Sequence, residues 1–354
     1  MSAQHGTLER ELPGVALNPA IRITSASDFV IPQEEVVVPT KLNRRQILAS
    51  SAIVLTGAYC ARPEQADETA APPPAPAETP SGKPLTIKKS LKFGMFREEG
   101  LSIQEKFEIL KEIGFDGVEL NSPADLDQDA IIAARDSTGL EIPGVIDSVH
   151  WTKPLSDPEG AVRDEGRSGL ETALRAAALY GASTVLLVPA VVKKEVQYDE
   201  AWARSQAEIR KALPVAREVG VKIAIENVWN SFLFSPLEMA RYIDELNDPL
   251  VGAYFDVGNV VNFGWPEQWI RILGPRIMKL DIKEYSREKR DQEGPFAGFR
   301  VSLGEGDCDW PAVVSALEEI GYRGGWGSAE VRGGDRERLK EISERMDRVL
   351  PTLH

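Results

Sequence analysis

Histidine is scarce in this chain: His5, His150 and His354 are the only three, and two of them lie at the termini. Cysteine is scarcer, with Cys60 and Cys308 alone, too few for a disulfide framework or a thiolate metal site. Any metal centre must therefore be built mainly from carboxylates, which favours Mn²⁺ or Mg²⁺ over zinc. Positive charge is also short. The formal net charge is −14, which argues against a nucleic acid or an anionic membrane surface as partner, because both call for basic patches. What remains is ordinary for a soluble globular protein, with 42% hydrophobic and 27% charged residues. A length of 354 residues allows one large domain or two ordinary ones.

The first part of the chain differs from the rest. Residues 1–40 are polar, with no sustained apolar period. Arg44-Arg45 then precedes an apolar run from Ile47 to Tyr59, which is too short for a comfortable bilayer span and suits the apolar region of a signal. Residues 1–60 therefore read as a leader with a twin-arginine-type export signal, implying a periplasmic or other extracytoplasmic location. The bland alternative is a short helix with an incidental arginine pair. Cys60 closes the run and is a candidate for lipid attachment to a membrane, although Tyr59 stands where a small residue is expected. Residues 61–88 read as a linker, since 61–84 are rich in Pro, Ala and Glu and cannot bury a core.

From residue 89 to 354, short β-type runs alternate with amphipathic helical patterns, the mark of βα units and a parallel sheet. The runs are 91–96, 115–120, 142–147, 183–189, 221–226, 251–256, 277–282 and 325–330. Several of the intervening helical stretches end in Gly just before the next run, as at Gly114, Gly181 and Gly321. Eight such units match an α/β fold of the (β/α)₈ TIM-barrel type, which typically takes about 250 residues. A doubly wound open sheet is the rival, but no Gly-rich phosphate loop follows the first run.

In such a barrel the catalytic groups lie at the C-terminal strand ends. Four consecutive runs end in an acid: Glu226, Asp256, Asp281 and Glu330. Alternate strand residues face opposite ways. Val221, Ile223 and Ile225 thus share one face and Ala224 and Glu226 the other; the same parity sets Asp256, Asp281 and Glu330 opposite apolar neighbours, among them Met278, Leu280 and Ile282. The apolar set is expected against the helices and the acids in the barrel mouth. A single acid at a strand end is usually a cap or a solvated loop residue. Four in one register would repel one another and raise their own pKa values unless a cation neutralised them, and a bound divalent metal is the simplest resolution.

The motifs IAIEN (223–227), FDVGN (255–259), KLDIKEY (279–285), SLGEGDCDW (302–310) and GYRGGWGSAEV (321–331) resemble those of the xylose isomerase-like TIM-barrel family of sugar phosphate isomerases and epimerases, especially its pentulose-5-phosphate 3-epimerase and hexulose-6-phosphate isomerase branch. The resemblance implies that Glu226, Asp256, Asp281 and Glu330 are metal ligands, and that Glu226 and Glu330 are also the catalytic acid/base pair. It implies a small-molecule carbohydrate substrate and a homo-oligomer. One position departs from the family pattern: Asp281-Ile282-Lys283-Glu284 stands where the family usually has histidine first. An all-carboxylate site would favour Mn²⁺ or Mg²⁺ and weaken the metal as a Lewis acid; loss of the metal is the other outcome.

The chemistry accounts for two glutamates. A metal that chelates a ketone and the neighbouring hydroxyl acidifies the C–H between them and stabilises an enediolate. One carboxylate removes the proton, and a second must deliver one to the opposite face for epimerisation; return to the adjacent carbon gives aldose–ketose isomerisation. Substrate-binding candidates are Glu119, His150, Trp151, Asn259 and Lys283, with helix capping or core packing as the bland reading for Glu119, Asn259 and His150. Lys279 is expected to pair with the acid cluster, Glu305 to order its loop, and Cys308 to be structural. Two other functions fit the pattern: a lyase acting on 3-keto-glycosides by β-elimination, or a non-catalytic sugar-binding barrel.

Overall fold

The computed structural model describes residues 84–352. The twin-arginine-type leader, the export location and the Cys60 lipid anchor expected from the sequence lie outside the described residues. Eight parallel strands close into a barrel in sequence order. They are β1 (Lys88–Lys92), β2 (Gly117–Ser122), β3 (Gly144–Asp147), β4 (Thr184–Leu187), β5 (Lys222–Glu226), β6 (Val251–Asp256), β7 (Ile277–Ile282) and β8 (Trp326–Ala329). Around them lie α1 (Ile103–Glu112), α2 (Gln128–Thr138), α3 (Gly160–Tyr180), α4 (Tyr198–Val219), α5 (Pro236–Leu246), α6 (Pro266–Leu273), α7 (Arg287–Glu293), α8 (Trp310–Glu319) and α9 (Arg336–Val349). The short α7 is an addition to the βα repeat, carried in the connection that follows β7.

Local chemistry fixes the helix ends. Ser102 caps α1 by accepting from the Glu105 N–H while the Glu105 carboxylate accepts from the Ser102 N–H, a reciprocal arrangement that satisfies two donors the helix itself cannot. Gly181 and Gly220 close α3 and α4 at φ of 78° and 71°, a conformation costly for other residues.

The alternation read from the sequence separates two layers. Ile223, Ile225, Phe255, Leu280 and Ile282 are buried in the large core between sheet and helices, while Leu186, Ala224 and Tyr254 pack together as a separate cluster, with Ile146 and Met278 against it. Met278 departs from its expected place. The β6–β7 pairing jumps from Ala253↔Ile277 to Tyr254↔Lys279, so Met278 is the extra residue of a bulge. The bulge restores the register above it, and Asp256 pairs with Asp281.

The first strand lies earlier than the sequence suggested. Residues 93–95 form a single 3₁₀ turn, and the strand is Lys88–Lys92. Leu85 and Ile87, read from the sequence as linker, are buried, and the Ile87 N–H donates to Pro351 O at 2.9 Å. Their composition is polar only on average: the apolar members of 85–92 all face inward to the core, and the lysines between them disguise the period.

Candidate active site

The strand ends bring Glu226, Asp256, Asp281 and Glu330 together. Each offers an oxygen within 4.8 Å of those of the others, and among the described residues they form the one group of acids, histidines or cysteines compact enough to hold a metal ion. Glu226, Asp256 and Asp281 are buried, whereas the Glu330 side chain keeps 29% of its surface exposed.

Two asparagines hold Asp256. The Asn227 amide accepts from the Asp256 N–H and donates to its carbonyl, both at 2.8 Å. Asn259 donates its backbone N–H to Asp256 Oδ1 at 2.7 Å and its amide to Asn227 O at 3.0 Å. Asn259 is therefore a scaffold for the aspartate, and its remaining amide oxygen accepts from Lys283 Nζ at 3.3 Å. Gly258 allows this packing, because a Cβ there would lie 2.7 Å from the carbonyl group of Lys283.

Lysines meet the acids from two sides. Lys283 Nζ lies 2.9 Å from Asp256 Oδ2 and 3.0 Å from Glu330 Oε2. Lys92, at the end of β1, lies 2.7 Å from Asp281 Oδ1 and 2.7 Å from Glu119 Oε2. Sequence reasoning missed Lys92 because it placed β1 too late. Lys279 does not make the ion pair expected of it: it donates to the Pro143 carbonyl, and burial pulls its ammonium down to about 8. Glu119 also differs from expectation. It is buried, with both carboxylate oxygens 2.8 Å from the Tyr254 hydroxyl and one held by Lys92. A Cβ at Gly144 would sit 2.5 Å from Glu119 Oε1, so the β3 glycine makes room for that carboxylate inside the barrel. Glu119 thus anchors Lys92.

These charges split the acids. Burial, then Glu330 and Asp281, push the Glu226 carboxyl well above the usual range. Burial also raises Asp281 and Asp256 despite their lysines. Burial acts on Glu330 too, but Lys283 and Lys92 outweigh it and hold that carboxyl below its ordinary value.

A hard divalent cation fits this donor set. Asp256 Oδ2, both Asp281 oxygens and Glu330 Oε2 are buried and accept no hydrogen bond, meeting at most the charge of a lysine. Buried carboxylate oxygens without donors are costly, and an all-oxygen set is what Mg²⁺ and Mn²⁺ take.

The rim is aromatic and partly polar. His150 Nδ1 accepts from the Val188 N–H at 3.3 Å, which places the ring proton on Nε2. Burial drives this imidazole down to about 3, so it stays neutral. Trp151 packs edge-on to it at 5.7 Å and is 38% exposed. Trp229, unremarked in the sequence, donates its indole N–H to Asn259 O at 2.9 Å and packs against Phe299 at 4.9 Å and Phe296 at 5.4 Å. Glu284, not Glu305, orders the 302–310 loop. It accepts from the Gly304 and Cys308 N–H groups and the Trp310 indole at 2.8, 3.1 and 2.8 Å, while Glu305 pairs with Arg345 at 2.8 Å and is exposed. Cys308 is buried, as expected of a structural residue.

A sequence model of the xylose isomerase-like TIM barrel matches residues 107–350, well over half of the chain. The chain belongs to that family. It is 29% identical over 237 residues to a putative L-ribulose-5-phosphate 3-epimerase of Escherichia coli, covering 63% of this chain and 82% of that one. It is 25% identical over 254 residues to an L-ribulose-5-phosphate 3-epimerase of Salmonella heidelberg, covering 67% of this chain and 86% of the relative. The fold is also that of a D-psicose 3-epimerase from Clostridium cellulolyticum solved with D-tagatose, at a TM-score of 0.62 and 18% identity over 75% of this chain and 100% of that one.

Proposed function

We propose that this member of the xylose isomerase-like family is a divalent-metal-dependent sugar isomerase or epimerase that acts on a keto-sugar through an enediolate, with Glu226 and Glu330 as its acid/base pair. The convergence of four strand-end carboxylates, several of whose buried oxygens meet only a lysine ammonium or, at Asp281 Oδ2, nothing, carries this reading. The epimerase names of its sequence relatives support it. Glu226, Asp256, Asp281 and Glu330 would hold Mn²⁺ or Mg²⁺, which when bound polarises a keto oxygen and lowers the pKa of the adjacent C–H.

The chain's own residues supply the proton transfers. Glu226 and Glu330 stand at the ends of β5 and β8, so carboxylates reach the reacting carbon from different sides of the mouth. Removal of a proton by one and delivery by the other inverts that carbon. His150 offers a neutral Nε2–H to a sugar oxygen, and the Trp151 and Trp229 rings offer apolar faces to its C–H groups. The twin-arginine-type leader extends the proposal to an extracytoplasmic location.

Exchange of solvent deuterium into a panel of free and 3-keto sugars tests it. The wild-type chain should label one of them at the carbon beside the ketone, and Glu226→Gln and Glu330→Gln should each slow labelling by roughly 10²–10⁴-fold. Labelling that survives both substitutions rules out the two-glutamate pair.

A further inference from the structure

The two lysines that meet the carboxylate cluster are not equivalent. Lys92 approaches from inside the barrel, clamped between Glu119 and Asp281, each at 2.7 Å, with the face of Tyr254 4.6 Å away. Its Nζ has ion-pair partners on both sides, and its side chain is only 10% exposed. Lys283 approaches from the loop after β7 and bridges Asp256 Oδ2 and Glu330 Oε2. Asp256 Oδ1 is already taken by the Asn259 N–H at 2.7 Å, so Oδ2 is the oxygen Asp256 has left for a cation, and the ammonium stands on it.

Mg²⁺ bonds carboxylate oxygens at about 2.0–2.1 Å. A cation held by these same two oxygens would share its donors with the ammonium, and like charges brought together in a buried site repel strongly. Lys283 is not held by the carboxylates alone. Its Nζ already donates to Asn259 Oδ1 at 3.3 Å and lies 5.5 Å from the Phe299 ring centroid, so an ammonium released by the two carboxylates keeps an amide oxygen and a cation–π contact.

We propose that Lys283 is a displaceable counter-ion: its ammonium and a divalent cation compete for Asp256 Oδ2 and Glu330 Oε2, and the metal moves it toward Asn259 and Phe299. This rests on the reading of the cluster as a divalent-metal site. The competitor sets the metal affinity below what four carboxylates alone would give. The displaced side chain then lies at the rim, beside the aromatic wall.

Two measurements on the full chain test it. Titration with Mn²⁺, read by the electron paramagnetic resonance of the free ion, should give at least tenfold tighter binding for both Lys283→Met and Lys283→Gln than for wild type. In the wild-type chain, competitive acetylation read by mass spectrometry should show the Lys283 amine several-fold more reactive with Mg²⁺ bound, and Lys92 unchanged. If the substitutions prevent folding, the acetylation result decides. Stoichiometric metal binding with unchanged affinity and unchanged Lys283 reactivity overturns the competition and leaves the metal site standing. Failure of wild type and both variants to bind any metal overturns the competition and the metal-site reading together.

Discussion

Lys92 Nζ lies 2.7 Å from Asp281 Oδ1, tying the end of the first strand to the end of the seventh beneath the carboxylate cluster. The pair is buried, and the same ammonium also holds Glu119. Its charge offsets both Asp281 and Glu119, and removing one partner of a buried ion pair leaves an uncompensated charge.

Lys92→Met should therefore destabilise the barrel by roughly 3–5 kcal/mol, read as a shift in the urea midpoint at unchanged m-value. Adding Glu119→Gln should recover part of that loss, because one stranded carboxylate is removed. A loss under about 1 kcal/mol in the single variant would show that the contact is not structural.

Asp147 gives a pH prediction away from the site. It ends β3, is 1% exposed, accepts from the Val149 N–H at 3.1 Å through Oδ1, and leaves Oδ2 without a partner. Burial pushes its carboxyl up to about 7. An aspartate in the unfolded chain ionises near 3.9, so the folded value is the raised one. The stability it contributes is full below the unfolded value and is lost as pH rises through about 7. Asp147→Asn should then be more stable than wild type at pH 8, by more than about 1 kcal/mol, and show no such gain at pH 4. An equal difference at the two pH values would mean that Asp147 is ionised in the native state.

Glu284 is the hub of the loop that follows β7. Three loop donors, the Gly304 and Cys308 N–H groups and the Trp310 indole, converge on its carboxylate. Glu284→Gln turns one acceptor oxygen toward them as an N–H₂ donor, and each buried donor left unpaired costs about 1–3 kcal/mol. Amide hydrogen exchange across 302–310 should speed up in the variant while β5 and β6 stay protected. Unchanged exchange in that loop would show that its order comes from elsewhere.

The barrel and its ring of acids were legible because both follow from periods. Strand residues alternate strictly, so Glu226, Asp256, Asp281 and Glu330 could be placed on one face from their neighbours alone, and the structure brings them within 4.8 Å. What escaped breaks a period or has none. The first strand carries lysines at 88, 89 and 92, and Lys89 is itself buried on Ser343 at 2.9 Å and Asp347 at 2.8 Å, so its charge hides a core position. Lys92 was lost with that strand. Met278 sits in a bulge, which adds a residue that alternation cannot foresee. Glu119 shares the inward face but lies at the third residue of a six-residue strand, deeper than the mouth, and Gly144 opposite it was the available hint. Trp229 comes from the loop after β5 and Phe296 and Phe299 from a short 3₁₀ helix, Pro295–Phe299, and no sequence period brings them together.

Four strand-end carboxylates are proposed to hold a divalent cation for proton transfer on a keto-sugar. The most direct measurement is metal content of the purified full chain, with solvent deuterium exchange into keto-sugars followed before chelation, after chelation and after Mn²⁺ or Mg²⁺ is restored. A single divalent ion per chain, with exchange lost on chelation and regained on restoration, is the predicted result. Exchange that persists in the fully chelated protein, or a chain that takes up no divalent ion and labels no sugar, would contradict it.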